Sequence, residues 1–131
     1  MADADPRDPE LVAFWTERHL CSFTTLRADG SPHVVAVGAT FDRQTMTARI
    51  ITRDGSVKVR NVEGANGAAR VAICQVDGRR WSTLEGTARV SRVPADVAES
   101  VRRYAERYRQ PRDNPTRVTL LVEVSRVLGR G

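Results

Sequence analysis

Apolar and polar positions alternate along most of the chain, and the breaks in that alternation divide it into elements. Residues 9–19 follow the helical period instead: Leu11, Phe14 and Trp15 share a face, Pro9 suits the first helical position and Asp8 is placed to cap it. At Cys21-Ser22-Phe23-Thr24-Thr25-Leu26 the period drops to two, in a run of strand formers. Asp29-Gly30 marks a tight turn, and residues 33–41 return as one long apolar strand in which Gly38 is a bulge or a point of close approach. Residues 46–52 form a third strand. The rhythm then breaks where Gly55 and Ser56 introduce a short helix over 57–62, ended by Gly64 and Gly67. Strands over 69–76 and 80–93 follow, joined by an Asp77-Gly78 turn. A helix over 94–107, striped by Val97, Val101, Tyr104, Ala105 and Tyr108, leads through a proline-punctuated loop to a last strand over 117–128. Six strands in hairpin order predict a mainly β (α+β) fold, an antiparallel sheet that removes its edges by closing into a small barrel with peripheral helices. The order is not βαβαβ, which excludes a Rossmann fold. Residues 1–8 read as a flexible lead-in and 9–131 as a single domain.

Composition narrows the class. Only 5% of the 131 residues are aromatic, so the core has to come from Val, Leu, Ile and Ala. Twenty-one Lys and Arg against sixteen Asp and Glu give a net charge of +5, which suits an anionic partner without saying which kind. The few aromatics form no clustered stacking platform, which argues against nucleic acid. No apolar run approaches the roughly 18 residues of a membrane span, and the acidic start is unlike a signal peptide; a cytoplasmic protein without a membrane span is expected. Cys21 and Cys74 stand alone in apolar stretches and read as buried, reduced thiols. With only His19 and His33 beside them, no metal site is expected.

Three segments carry candidate chemistry. Gly55-Ser56-Val57-Lys58 offers a helix start with free backbone N–H groups, hydroxyls from Thr52 and Ser56, and charge from Lys58 and Arg60. It reads either as an anion site or as an ordinary cap with solvated charges. Ser31-Pro32-His33-Val34-Val35-Ala36-Val37-Gly38 is small enough to let a flat ring lie against backbone, and reads equally as a core strand. Val76-Asp77-Gly78-Arg79-Arg80-Trp81 sets two arginines and an indole around a turn, where Trp81 is a ring platform or a half-buried strand aromatic. Glu85 reads as the partner of a buried arginine. No nucleophile has a base beside it, and no catalytic residue is assigned. An enzyme built this way takes its reactive atom from a cofactor.

Taken together, Leu20 to Val35 with its Asp29-Gly30-Ser31-Pro32-His33 turn, Ile50-Ile51-Thr52 with Ser56-x-Lys58, Gln75-Val76-Asp77-Gly78-x-x-Trp81-x-x-Leu84-Glu85-Gly86 and Arg103-Tyr104-Ala105-x-Arg107-Tyr108-Arg109 carry a family resemblance. The chain resembles the pyridoxamine-5′-phosphate-oxidase-like split β-barrels. Within them it is most similar to the actinobacterial oxidoreductases that use the deazaflavin coenzyme F420, in particular the F420-dependent biliverdin reductases. That resemblance implies an FMN-binding-like split barrel and a homodimer with the cofactor site at its interface. It implies hydride transfer from reduced F420 to a tetrapyrrole such as biliverdin or another flat conjugated acceptor. A non-catalytic flavin-, deazaflavin- or tetrapyrrole-binding module is the alternative, with FMN as the alternative cofactor. By the same resemblance the phosphate and tail fall on Ile51, Thr52, Ser56, Val57, Lys58 and Asn61. The ring lies along His33, Val34, Val35 and Ala36, and Gln75, Val76 and Trp81 stand beside the cofactor. Arg79 and Arg80 are candidates for the acceptor's propionates. Counted from Arg49 on the third strand, the Arg-x-x-x-x-Lys pairing of the FMN oxidases is not met, since Asp54 stands five positions later.

Overall fold

A computed structural model describes residues 3–67 and 69–131. Three helices, α1 (Pro9–Thr16), α2 (Val57–Gly64) and α3 (Pro94–Arg107), surround seven strands: β1 (Cys21–Leu26), β2 (Pro32–Val37), β3 (Ala39–Asp42), β4 (Thr47–Arg53), β5 (Ala69–Asp77), β6 (Arg80–Ser91) and β7 (Arg117–Arg130). All pairings are antiparallel, in the order β2-β1-β5-β6-β7-β4-β3.

The long strand expected over 33–41 is two strands, which raises the count from six to seven. β2 pairs with β1 through Thr24↔Val34, whereas β3 pairs with β4 through Thr40↔Arg49. These are the two ends of the sheet, yet one residue, Gly38, separates them in the chain. The sheet therefore has to curl until its ends meet, and the result is a barrel split between β2 and β3. Gly38 is required at the crossing because a Cβ there would lie 2.8 Å from Tyr104 Cε2 and 3.1 Å from Tyr108 Cε2. A second glycine, Gly86, sits where the β6–β7 register shifts, and a Cβ on it would strike the Glu123 carbonyl.

The inward faces of the strands fill the barrel with Phe23, Ile50, Ile73, Leu84, Leu120 and Val122, each at most 1% exposed. Leu11, Phe14 and Trp15 of α1 close one end, and the Trp15 indole donates to Ser82 Oγ at 2.9 Å, so its polar atom is satisfied. The capping expectations hold: Asp8 accepts from the Glu10 N–H, and Ser56 from the Val59 N–H. α1 stops at Thr16, short of residue 19. Its last carbonyls turn to Arg107, whose buried guanidinium donates to Glu17 O, Phe14 O, Ala39 O and Gln75 Oε1. Of the lead-in expected over 1–8, residues 1–2 lie outside the described part. Residues 3–8 run back against β7, with Ala4 N–H donating to Val127 O at 2.7 Å and Asp3 paired with Arg126.

Both cysteines are free thiols, but only Cys21 is buried. Cys74 points to the outer face, where period two places it beside Ser22 and Thr83, and it is half-exposed. Glu85 meets Arg126 at 3.5 Å on the surface, not a buried arginine, because its strand position also faces outward.

Candidate functional site

The split leaves open strand edges as well as a topological break. β3 covers β4 only as far as Ala39↔Ile50, so Ile51, Thr52 and Arg53 pair with β7 on one side and have no strand on the other. β2, the terminal strand, has an open edge as well. Between these edges lies a cleft of about 270 Å³ lined by Ala36–Gly38, Ile51–Arg53, Lys58, Tyr104, Pro111, Asn114 and Arg117. It gathers four expected residues, Ala36, Ile51, Thr52 and Lys58.

α2 forms the floor on which the charged end of the cleft is built. Ser56, 5% exposed, caps the helix and lies 3.4 Å from Thr52 Oγ1, which brings the two hydroxyls together at the helix start. Asn61 donates to Thr25 Oγ1 at 2.9 Å and so ties α2 to β1. Lys58 is half-buried on the first turn. Burial, and then the nearby Arg53 charge, hold its ammonium below the usual lysine range. Arg53 and Arg117 face each other as cross-strand partners. No Asp or Glu is among the residues that line the cleft. Asp54 and Glu63, which flank this segment in sequence, both bind Arg92, at 2.8 and 2.9 Å. Among the described residues no carboxylate pairs with Lys58, Arg53 or Arg117, and with two hydroxyls and a helix start they give this end of the cleft an electropositive character.

β2 sends its expected ring residues to opposite faces. Val34, 61% exposed, and Ala36 point outward, while His33 and Val35 point in and are half-buried. His33 Nδ1 is buried with no hydrogen-bond partner. The four residues therefore do not present one common side-chain surface; what β2 offers continuously is its open backbone edge.

Val57, on the first turn of α2, is exposed, and the remaining expected residues are on the mid-sheet strands β5 and β6 and the turn between them. Val76, 64% exposed, and the half-buried Trp81 are cross-strand neighbours on the outer face beside the Asp77-Gly78 turn. Gln75 is 1% exposed and faces the interior, where its amide donates to Phe14 O and its carbonyl accepts from Arg107. Alternation with Ile73 and Val71 already puts Gln75 on the inner face, a signal the motif obscured. Arg80 is held by Glu17 and Asp77, which leaves Arg79 as the exposed arginine of the pair. Arg80, and after it His19, pull the Glu17 carboxyl down to about 2. Glu17, His19 and Asp77 gather within 4.8 Å of one another, around the Arg80 guanidinium that already pairs with both acids. Tyr104, Asn114, Arg117 and Arg53 enter the cleft without having been singled out from sequence. Tyr104 belongs to the apolar stripe of α3, and Arg117 acquires meaning only opposite Arg53.

Comparison with known proteins gives these features a context. The family model described as pyridoxamine 5′-phosphate oxidase matches residues 8–131. An F420H(2)-dependent biliverdin reductase of Mycobacterium tuberculosis is 52% identical over 120 residues, which cover 92% of this chain and 85% of that protein. Among solved structures, an F420 reductase superposes with a TM-score of 0.70 at 22% identity, covering 88% of this chain and 94% of its own. A conserved hypothetical protein of M. tuberculosis superposes with a TM-score of 0.79 at 22% identity, covering 99% and 88%. At that identity the structural matches speak for the fold.

Proposed function

The chain belongs to the pyridoxamine 5′-phosphate oxidase family, and from that premise we propose that it is an F420-dependent reductase that converts biliverdin to bilirubin. The observation that carries this reading is 52% identity across nearly the whole chain to a reductase of that name. The cleft fits the cofactor's chemistry. F420 carries a phosphodiester and carboxylates, and Lys58, Ser56 and Thr52 offer an ammonium and two hydroxyls at the start of α2, with no acid among the lining residues to repel the ligand. When bound, reduced F420 supplies a hydride from carbon 5 of its ring.

The chain's own residues bind and place the reactants. Lys58 and the capped start of α2 hold the phosphate. The open edge of β2 and the small side chain of Ala36 would let the ring lie flat, whereas His33 Nδ1 is buried on the opposite face of the strand and outside the cleft. The fold then has to hold donor and acceptor carbons roughly 3–3.5 Å apart.

Val76 and Trp81 lie away from this cleft within one chain, so their expected place beside the cofactor calls for a second copy, whereas Gln75 is buried and already bonded to Phe14 O and Arg107. The outer face of β1, β2, β5 and β6 offers a seat for that copy. Val34 and Val76 are both more than 60% exposed there, among the small side chains of Ser22, Thr24, Ala72 and Cys74. A homodimer burying this face removes an apolar patch from water and seals the open barrel. Two free thiols suit a reducing cytoplasm. Among the described residues, no helix is long and apolar enough to cross a membrane.

Anaerobic mixing of the protein with reduced F420 and biliverdin tests the reading. Reoxidation of the deazaflavin band coupled to growth of the bilirubin band, both absent without protein, is the expected result. Cofactor binding without either change makes the protein a carrier or a reductase of another acceptor. No binding of F420, with binding of FMN, overturns the cofactor assignment.

A further inference from the structure

α3 packs on the outer face of β3, β4 and β7, where Thr119 donates to Ser100 Oγ at 2.8 Å. Among the described residues four buried side-chain polar atoms have no hydrogen-bond partner, and three of them belong to this layer: Thr40 Oγ1, Arg49 Nη1 and Arg103 Nε. The fold brings the three side chains together. Thr40, 8% exposed, and Arg49 are cross-strand partners on β3 and β4. Arg103 comes down from α3 and reaches Asp42, two residues from Thr40, at 3.2 Å. Burial, and then the nearby Arg103 charge, hold the Arg49 guanidinium below the usual arginine range. Buried polar groups in folded proteins find a partner, and here the protein does not supply one. We propose that Thr40, Arg49 and Arg103 hold a monovalent inorganic anion of halide size between α3 and the β3–β4 hairpin, a site separate from the cofactor cleft and independent of the cofactor reading.

Charge decides the kind of occupant. Asp42 is committed to Arg103, to the Gln44 N–H and to the Thr45 hydroxyl. Glu99 grips Arg102 at 2.5 Å and comes only to 3.7 Å from Arg103 Nε. Among the described residues no carboxylate pairs with Arg49, so one half-buried guanidinium stands without a counter-charge, which is costly. All three orphaned atoms are able to donate. A water molecule brings two lone pairs and no charge, whereas a halide accepts from all three donors and neutralises Arg49. Asp42 and Glu99 repel a dianion, which limits the occupant to a single charge. The cleft of about 500 Å³ that Arg49 and Glu99 line on the outer face gives the ion its way in. Once bound, the ion bridges β4 to α3, whose Tyr104, next after Arg103, walls the cofactor cleft.

The test is thermal melting of the full chain while chloride replaces gluconate at fixed ionic strength, which holds general screening constant. The expected result is a saturable rise of the midpoint, by about 4–6 °C when chloride reaches ten times its dissociation constant. Sulfate strengthens burial without saturating, so a plateau separates site binding from a general salt effect. Arg49→Met keeps the stem, removes the charge and should abolish the chloride response. Thr40→Val, nearly the same shape, removes one donor and should raise the chloride concentration for half the effect by about 3–10-fold, and it keeps the test usable if Arg49→Met does not fold. Crystals grown in bromide should show an anomalous peak between Arg49 Nη1 and Arg103 Nε. A flat chloride response in the wild type, the same response in the folded variants, or a water in place of the bromide peak overturns the site.

Discussion

Replacing Arg107 with Met tests what holds the split barrel together. Arg107 is 8% exposed and has no carboxylate partner; its guanidinium is satisfied by carbonyl oxygens. Methionine keeps an apolar stem and removes the donors, together with the guanidinium's stacking over the Trp15 and Tyr108 rings at 5.2 and 5.3 Å. Two of the four acceptors retain another donor: Phe14 O keeps the Gln75 amide at 3.0 Å, and Ala39 O keeps the Tyr108 hydroxyl at 3.0 Å. Glu17 O loses its 2.8 Å bond, and Gln75 Oε1 loses its 2.7 Å bond, retaining only a weak thiol contact from Cys21. Each orphaned acceptor costs about 1–3 kcal/mol, and relief from burying an unpaired charge returns part of it, so the net loss is about 2–4 kcal/mol. For 131 residues unfolding near 60 °C, 1 kcal/mol moves the midpoint by roughly 3–4 °C, which puts the expected drop at roughly 7–14 °C. Thermal and urea unfolding measure it, and a cycle with Gln75→Ala isolates the pair, with a coupling of about 1–2 kcal/mol expected. A drop below about 3 °C, or additive single mutants, refutes the claim that this buried fork staples α1, β3 and β5.

Gly38→Ala should destabilise by about 1–3 kcal/mol, because its new methyl meets the Tyr104 and Tyr108 rings, and it should also weaken F420 binding as Tyr104 shifts into the cleft. Wild-type values in both melting and titration would mean the rings give way freely. For Lys58 the sign runs through its depressed pKa: burial favours the neutral amine, and a bound anion favours the ammonium. F420 affinity should therefore be full at neutral pH and fall as pH rises toward the usual lysine value of about 10.4. Lys58→Met should show weaker binding with that decline flattened. A decline of the same size in the variant would assign it to another group.

The expected elements and most of their limits were legible in local chemistry. Period-two alternation placed Phe23, Ile73 and Leu84 on inner faces, Asp29-Gly30 and Asp77-Gly78 placed two hairpins, and Asp8 and Ser56 capped the helices expected of them. These features depend on residues a few positions apart, whose backbone preferences act before the chain closes. The family motifs likewise singled out Thr52, Ser56 and Lys58, which gather around the start of α2. Tertiary structure decided what depends on closure. Alternation runs almost unbroken through Gly38, so nothing local says that the strand before it pairs with β1 and the strand after it with β4. Arg107 reads as one more basic residue on a helix until α1, β3 and β5 bring carbonyls to it. Arg53 and Arg117 become a pair only when β4 lies against β7. Each of these contacts joins segments far apart in sequence. Its energy is gained only once the whole sheet has curled, and the curl is set by the packing of the entire core rather than by the residues that meet.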